Sequence, residues 1–426
     1  MNLIGFMPNL ESLTAGSWKL QQEFYEETLP MLNLQRLKIL IIVKSDRETT
    51  DFFTQHLPKN IIKEFRLQGE PGELLVNQTS IKKLSLQVDT FTYEELKNME
   101  LSHLILKLRK YKNEDGQSVL HHIVSNQPKL THLKLIGCEG CFDGDDQAFA
   151  AICQLKELTS LKLNIDALRP EAFISHFDEL KNLENLVFES LEHDYAPVVT
   201  IIDHLSHVKM QECKRLKFYF NDIGVPLDRI ERIGQNFKQL ENFMIRCDHP
   251  LPLDCYLLNM KHLKRLHVDY HYTKEFAKLC NNFDFKHVNL TELSLQGFAF
   301  GSDEVNSNEM TLVKLSETLP NLENLELDAA FPFNTNFIVK VLEKFPKLKI
   351  LKNWSMVQSG EHYNKFDQVS VFNLSKIAEV IDEFSIELRL KAIDMDVSRV
   401  KDDLSKHFNV GITRLGSFIV IRLEKK

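Results

Sequence analysis

The stretch from Lys129 to Asp143, KLTHLKLIGCEGCFD, sets Leu130, Leu133 and Leu135 at L-x-x-L-x-L spacing, with Cys138 three residues further on. The period of two between the last leucines fits a strand that buries one face, and the three-residue lead fits a turn entering it. The same skeleton returns at Leu10/Leu13, Leu34/Leu37/Ile39, Ile62/Phe65/Leu67, Ile81/Leu84/Leu86 and Leu101/Leu104/Leu106. Beyond Leu130 it continues at Leu158/Leu161/Leu163, Leu183/Leu186/Phe188, Cys213/Leu216/Phe218, Leu240/Phe243/Ile245 and Leu263/Leu266/Val268. The last copies are Leu290/Leu293/Leu295, Leu322/Leu325/Leu327 and a degraded Leu348/Leu351.

First positions therefore run from 10 to 348, and thirteen steps average about 26 residues, inside the 20–29 range of the leucine-rich repeat. In that class a buried Asn or Cys follows the leucines, which is where Cys138 stands; Asp89, Asp166, Asn221 and Asp248 fill the place elsewhere, and Phe298 and Ala330 interrupt it. A unit this short buries too few apolar side chains to offset the entropy of ordering itself, so the copies must stack. The expected fold is α/β: a leucine-rich repeat solenoid of about fourteen repeats, horseshoe-like, with a parallel sheet on the concave face and helices on the convex face.

The outer half of each unit reads as helix. Phe149, Ile152 and Cys153 recur at helical spacing within Gln147 to Leu155, and a second helix covers Leu312 to Leu319. Pro128, Pro320 and Pro346 each stand two residues ahead of a leucine skeleton and end the preceding helix. With 15 Gly in 426 residues, few positions are free to adopt positive φ, so helices and ordinary turns make the connections.

Two regions follow: a solenoid over 1–354 and, over 355–426, a polar loop with a mixed α/β cap. In the cap, Phe372 to Phe384 and Val397 to Phe408 have helical spacing, Ile386, Leu388 and Leu390 alternate as a strand, and Phe418 to Leu423 reads as a closing strand. The first skeleton begins nine residues after Met1, which leaves no room for a polar cap on Leu3, Ile4, Phe6 and Met7 and implies a missing upstream module or another cover.

A net charge of −8, from 52 Lys plus Arg against 60 Asp plus Glu, disfavours a nucleic-acid partner. The first twenty residues lack a basic n-region, the longest apolar run falls far short of the ~18 residues that span a bilayer, and seven scattered cysteines suit a reducing compartment. No membrane and a cytoplasmic or nuclear location are expected.

No catalytic motif is present: no phosphate loop, no H-E-x-x-H, no G-x-S-x-G. Cys138 and Cys141 have the spacing of half a zinc knuckle with no second half, Asp143, Asp145 and Asp146 lack the rest of a calcium loop, and His121-His122 has no ligand spacing. Catalytic residues, cofactor and metal are all read as none, and the chain as a non-enzyme.

What remains is the sheet's open face. Residues beside the second and third skeleton positions point away from the core. These columns hold twelve basic residues, Arg36, Lys38, Arg66, Lys83, Lys107, Lys134, Lys162, Arg215, Lys217, Arg246, Arg265 and Lys352, against six acidic, Glu64, Glu189, Asp269, Glu292, Glu326 and Asp328. The face is thus about +6 on an acidic chain. With strands ~4.8 Å apart, Lys134 and Lys162 repel by something under ~1 kcal/mol in water, which an anionic partner would relieve. His103, Ile105 and Ile136 share the face. The expected partner-binding residues are Lys107, His132, Lys134, Lys162, Arg215, Lys217, Tyr219, Met244, Arg246, Arg265 and His267, with Tyr219 and Met244 as anchors and the basic residues steering an acidic or phosphorylated protein segment. The alternative is that soluble Lys and Arg decorate an exposed sheet.

The runs QPKLTHLKLIGC, ELTSLKL and LPNLENLEL resemble, over residues 7 to 354, the leucine-rich arrays of insect-type F-box proteins and, more distantly, ribonuclease-inhibitor-like proteins. The resemblance implies the substrate-binding part of a ubiquitin-ligase subunit, with a cullin-ligase adaptor docking through an F-box module that is not seen ahead of Leu10. The second reading is a stand-alone scaffold or inhibitor with no ubiquitin link.

Overall fold

The computed structural model describes residues 9–16, 23, 26–27, 34–71, 73–88, 96–108, 119–137, 146–164, 177–189, 196–219, 225–247, 251–273, 284–298, 305–329, 341, 343–353, 385–391, 402, 405, 408–415 and 418–425. They belong to two compact units, Met1–Cys213 and Lys214–Lys426.

In the first unit, β1 (Ser12–Ala15), β2 (Ile39–Ser45), β3 (Glu64–Gly69), β4 (Lys83–Val88), β5 (His103–Leu108), β6 (His132–Gly137), β7 (Ser160–Asn164) and β8 (Asn185–Glu189) each pair in parallel with the next. The register lines up the skeleton, because Leu40, Phe65, Leu84, Leu104, Leu133, Leu161 and Leu186 form one row of partners. Every one of them is at most 2% exposed. Parallel neighbours require crossover connections, and the chain supplies α1 (Arg47–His56), α2 (Val119–Ser125), α3 (Asp146–Cys153) and α4 (Ala196–Leu205), with 3-10 turns at Leu34–Arg36 and Phe177–Glu179. α1 begins where the Asp46 carboxylate accepts from the Thr49 amide at 3.0 Å, and it buries Thr49, Thr50 and Phe53.

In the second unit, β9 (Arg215–Tyr219), β10 (Asn242–Cys247), β11 (Arg265–Thr273), β12 (Glu292–Phe298), β13 (Asn324–Ala329), β14 (Ile350–Asn353) and β15 (Ser385–Lys391) continue the same parallel rule. The direction then changes. Of β16 (Phe408–Leu415) and β17 (Phe418–Lys425), β17 lies antiparallel on β15 and β16 antiparallel on β17. Three helices are described, α5 (Leu227–Asn236), α6 (Leu253–Leu257) and α7 (Val305–Thr318). Gly234 lets α5 lie close to the following repeat, since a Cβ there would meet Asn259 Cβ at 2.7 Å. The chain is a leucine-rich repeat solenoid of α/β class.

Two sequence expectations need correction. Around β2 the buried triplet is Leu37, Leu40 and Ile42, three residues later than Leu34/Leu37/Ile39. Leu34, Leu37 and Leu40 stand three apart, so the pattern fits twice, and pairing with Phe65 and Leu67 selects the later register. Arg36 and Lys38 therefore precede the strand: Arg36 hydrogen-bonds Asn9, and Lys38 pairs with Glu11 at 2.8 Å. Phe408 is not the end of a helix but the first residue of β16, whose Phe408, Val410 and Ile412 alternate with period two. The positions Asp89, Cys138, Asp166, Asn221 and Asp248, and the helix expected over 372–384, lie outside the described residues.

A set of polar bridges joins consecutive repeats. Three residues ahead of a skeleton, Gln127 is 1% exposed; its Oε1 accepts from the Leu101 amide at 2.8 Å, and its Nε2 donates to Met99 O at 3.0 Å and Leu96 O at 3.3 Å. At the same place in its own repeat Gln78 donates to Pro58 O at 2.8 Å, and His287 Nε2 lies 3.0 Å from Met260 O. Asn182, Asn289 and Asn321, directly before their skeletons, donate to Lys156 O, Lys261 O and Val288 O. The Gln78, Gln127 and His287 bridges satisfy backbone groups that the turn into the strand takes out of water, whereas the asparagine bridges lie on the exposed side.

Candidate functional site

Alternation along the strands places the leucine-type residues of each skeleton in the core and the intervening ones on the sheet's open face. On β4 to β6 of the first unit, Lys83, His103 and His132 are register partners in one row, and Ser85, Ile105 and Lys134 in the next. Lys107 pairs in register with Ile136. Ile105 is 37% exposed, with Ser85 and Lys134 as partners on either side and His103 and Lys107 two residues away on its own strand. An apolar side chain of that size is left in water at the middle of a basic surround.

The acidic residues of this face are already engaged. Glu64 pairs with Arg66 at 2.6 Å, and Glu189 pairs with Lys162. Among the described residues Lys83, Lys107 and Lys134 have no carboxylate within ion-pair distance. Burial, and then the charge of Lys162, hold the Lys134 ammonium below its ordinary pKa, the direction that the expected repulsion between these two lysines requires. The His103 and His132 rings stack with centroids 4.0 Å apart and planes 9° from parallel. Burial lowers the pKa of both; for His103 the His132 and Lys83 charges lower it further, and for His132 Lys83 does.

The second unit uses the same places differently. Arg246 Nε lies 3.3 Å from an Asp269 carboxylate oxygen, and Arg265 Nε lies 3.1 Å from Glu292. Lys217 Nζ sits 3.5 Å from Tyr219 OH and 5.9 Å from the ring centroid, so this tyrosine is covered by a neighbour on its own strand. Met244 is half-buried between Lys217 and His267 in register. Burial and then Lys217 push the His267 imidazole down to about 4. Arg215 is exposed at the edge of the row that contains Asn242 and Arg265.

The expected residues thus fall on open sheet faces of two units. Lys107, His132, Lys134 and Lys162 come together in the first, and Arg215, Lys217, Tyr219, Met244, Arg246, Arg265 and His267 lie in the second. Lys83, His103 and Ile105, outside that set, complete the first-unit cluster; their signal was membership of the same columns. The expected surplus of about +6 falls to about +4 because Arg36 and Lys38 precede β2; the pairs of Arg66, Lys162, Arg246 and Arg265 with face carboxylates leave the difference unchanged but localise it.

Burial, followed by nearby carboxylates, pushes the Cys153 and Cys255 thiols up to about 12, which removes them as nucleophiles. Among the described residues no group of three or more His, Cys, Asp or Glu could hold a metal ion. A cleft of about 720 Å³ lies at the strand-entry edge of the first unit, where Glu157, Asp178, Glu184 and Glu212 mix with Lys181 and Lys209. Its charges are of both signs and single out no ligand.

No family model matches the chain, and no curated protein does either. Among solved structures it is similar to the crystal structure of a TLR13–ssRNA13 complex, at 13% identity and a TM-score of 0.47, covering 83% of this chain and 54% of that one. It is also similar to a structure of the Toll–Spätzle complex from Drosophila, at 15% identity and a TM-score of 0.43, covering 72% and 39%. The chain spans about half the length of the first of these and 39% of the second. The repeat class itself rests on the aligned leucine columns described above.

Proposed function

We propose that this chain is a non-catalytic recognition array, and that the open face of β4 to β6 grips an acidic or phosphorylated segment of a partner protein. The observation that carries this is the unequal satisfaction of charge in the first unit. Glu64 and Glu189 are taken up by Arg66 and Lys162, which leaves Lys83, Lys107 and Lys134 around an exposed Ile105. An extended segment with one apolar residue flanked by carboxylates or phosphates complements that pattern: the apolar side chain covers Ile105, and the anions meet the lysines.

The wording of the repeats supports a finer reading, in which the array is the substrate-binding part of an F-box type ubiquitin-ligase subunit whose F-box module contacts a cullin-ligase adaptor. The setting proposed is cytoplasm or nucleus, consistent with Cys153, Cys213 and Cys255 all being buried thiols outside any disulfide.

The test uses a labelled peptide with a central leucine flanked by glutamates, the same peptide with phosphoserines, and a neutral version. The full chain should bind the charged pair and not the neutral one, with affinity falling as salt is raised. Equal affinity for all three would overturn the docking face. For the finer reading, affinity capture from cells should recover cullin components together with a partner. A partner recovered repeatedly without them would favour a stand-alone scaffold or inhibitor.

A further inference from the structure

We infer that the stacked pair His103–His132, bordered by Lys83 and Lys134, is a proton-coupled subsite for one oxyanion of the docked segment. This rests on the proposal that the same face receives an acidic or phosphorylated peptide.

Both rings are anchored through the same nitrogen. Ser102 Oγ lies 2.9 Å from His103 Nδ1 and Thr131 Oγ1 lies 2.9 Å from His132 Nδ1, so each hydroxyl holds its ring at Nδ1. The planes are 9° apart, so the two rings lie face to face and do not converge on a single cation, which disfavours chelation of a metal.

An oxyanion docked beside the pair is held more strongly by an imidazolium than by two neutral rings. The groups that face the pair are Lys83 from β4, Glu64 from β3 and, on β6, Lys134 next to His132; the neighbour of His132 on β7 is the neutral Ser160. Lys83 opposes protonation of the empty pair, and burial does the same. A bound anion offsets both, so one proton moves from solvent onto the pair as the anion docks. A second is opposed by the first, 4.0 Å away. Affinity should rise as pH falls from 7.5 to 5.5, by no more than about tenfold per pH unit for one proton.

The experiment measures binding of the phosphoserine and glutamate peptides to the full chain at pH 7.5, 6.5 and 5.5, beside the His103→Gln/His132→Gln variant. Phosphoserine itself titrates near 6, so the readout for each peptide is the difference in slope between wild type and variant, and the two peptides separate phosphate from carboxylate as the preferred oxyanion. The expected result is a wild-type slope steeper than the variant's. In the wild type alone, NMR titration of the two ring Cε1–H signals should show their pKa rising when peptide is added, a readout that needs no variant. Peptide binding without either effect overturns the proton-coupled subsite and leaves the docking face standing. Failure of every peptide to bind removes both.

Discussion

In the second unit Arg246 reaches Asp269 at 3.3 Å and Arg265 reaches Glu292 at 3.1 Å, while in the first Lys83, Lys107 and Lys134 have no such partner among the described residues. The residues occupy equivalent columns of different repeats. Their difference lies in how the acids are committed: Asp269 and Glu292 meet the arginines opposite them on the next strand, whereas Glu64, opposite Lys83, pairs with Arg66 on its own strand. Total charge along a face is therefore a poor guide to what the face can hold. The arrangement across strands is what leaves a surplus.

The histidines give the largest expected contrast. His267 in the second unit is folded with a pKa of about 4 against an ordinary 6.5, so the folded state binds its proton less readily than the unfolded one. That stabilisation is complete above pH 6.5 and is lost as pH falls towards 4; at 1.36 kcal/mol per pKa unit it amounts to about 3 kcal/mol. Urea midpoints at pH 7 and pH 4.5 should fall further in wild type than in His267→Gln. An equal fall in both would mean that the ring is wetter than its place on β11 indicates.

Reversing Lys83→Glu, Lys107→Glu and Lys134→Glu together should weaken acidic-peptide binding on the order of 100-fold, taking roughly 1 kcal/mol per lost pair. The same number of reversals in the second unit, Arg215→Glu, Lys217→Glu and Arg265→Glu, should change it by less than about threefold. Anisotropy titrations of both triples decide the matter, and equal losses would erase the distinction between the faces. A more modest change runs the other way. Asp269→Asn with Glu292→Gln releases Arg246 and Arg265 and should give the second unit a weak affinity for the peptide, about tenfold poorer than the first. The smallest effect expected is at Glu189→Gln, which releases Lys162 into the first-unit face and should tighten binding about threefold; no change there would place the peptide away from β7.

Much of this was legible in the leucines. From Ile62/Phe65/Leu67 to Leu322/Leu325/Leu327 every skeleton residue is buried as its spacing requires, because a strand with one wet face leaves a period-two signature that local sequence carries in full. Leu34/Leu37/Ile39 misled because three leucines three apart admit two registers, and only the neighbouring strand chooses between them. The site was harder for the same reason. Glu189, Asp269 and Glu292 were visible as members of the columns, but which base each would meet depends on register against a strand some two dozen residues away. Ser102 and Thr131, which hold the two histidine rings at Nδ1, sit outside the columns altogether, and nothing about a hydroxyl residue before a histidine announces that contact.

The backward reach of Gln78, Gln127 and His287 has a consequence for how such a chain is made. Each completes carbonyls or amides of the segment synthesised before it, so a repeat leaving the ribosome keeps raw backbone groups until its successor emerges. Maturation must lag elongation by about one repeat, and a nascent chain stalled just short of Gln127 would expose Leu96 and Met99 to chaperones while everything earlier had already closed.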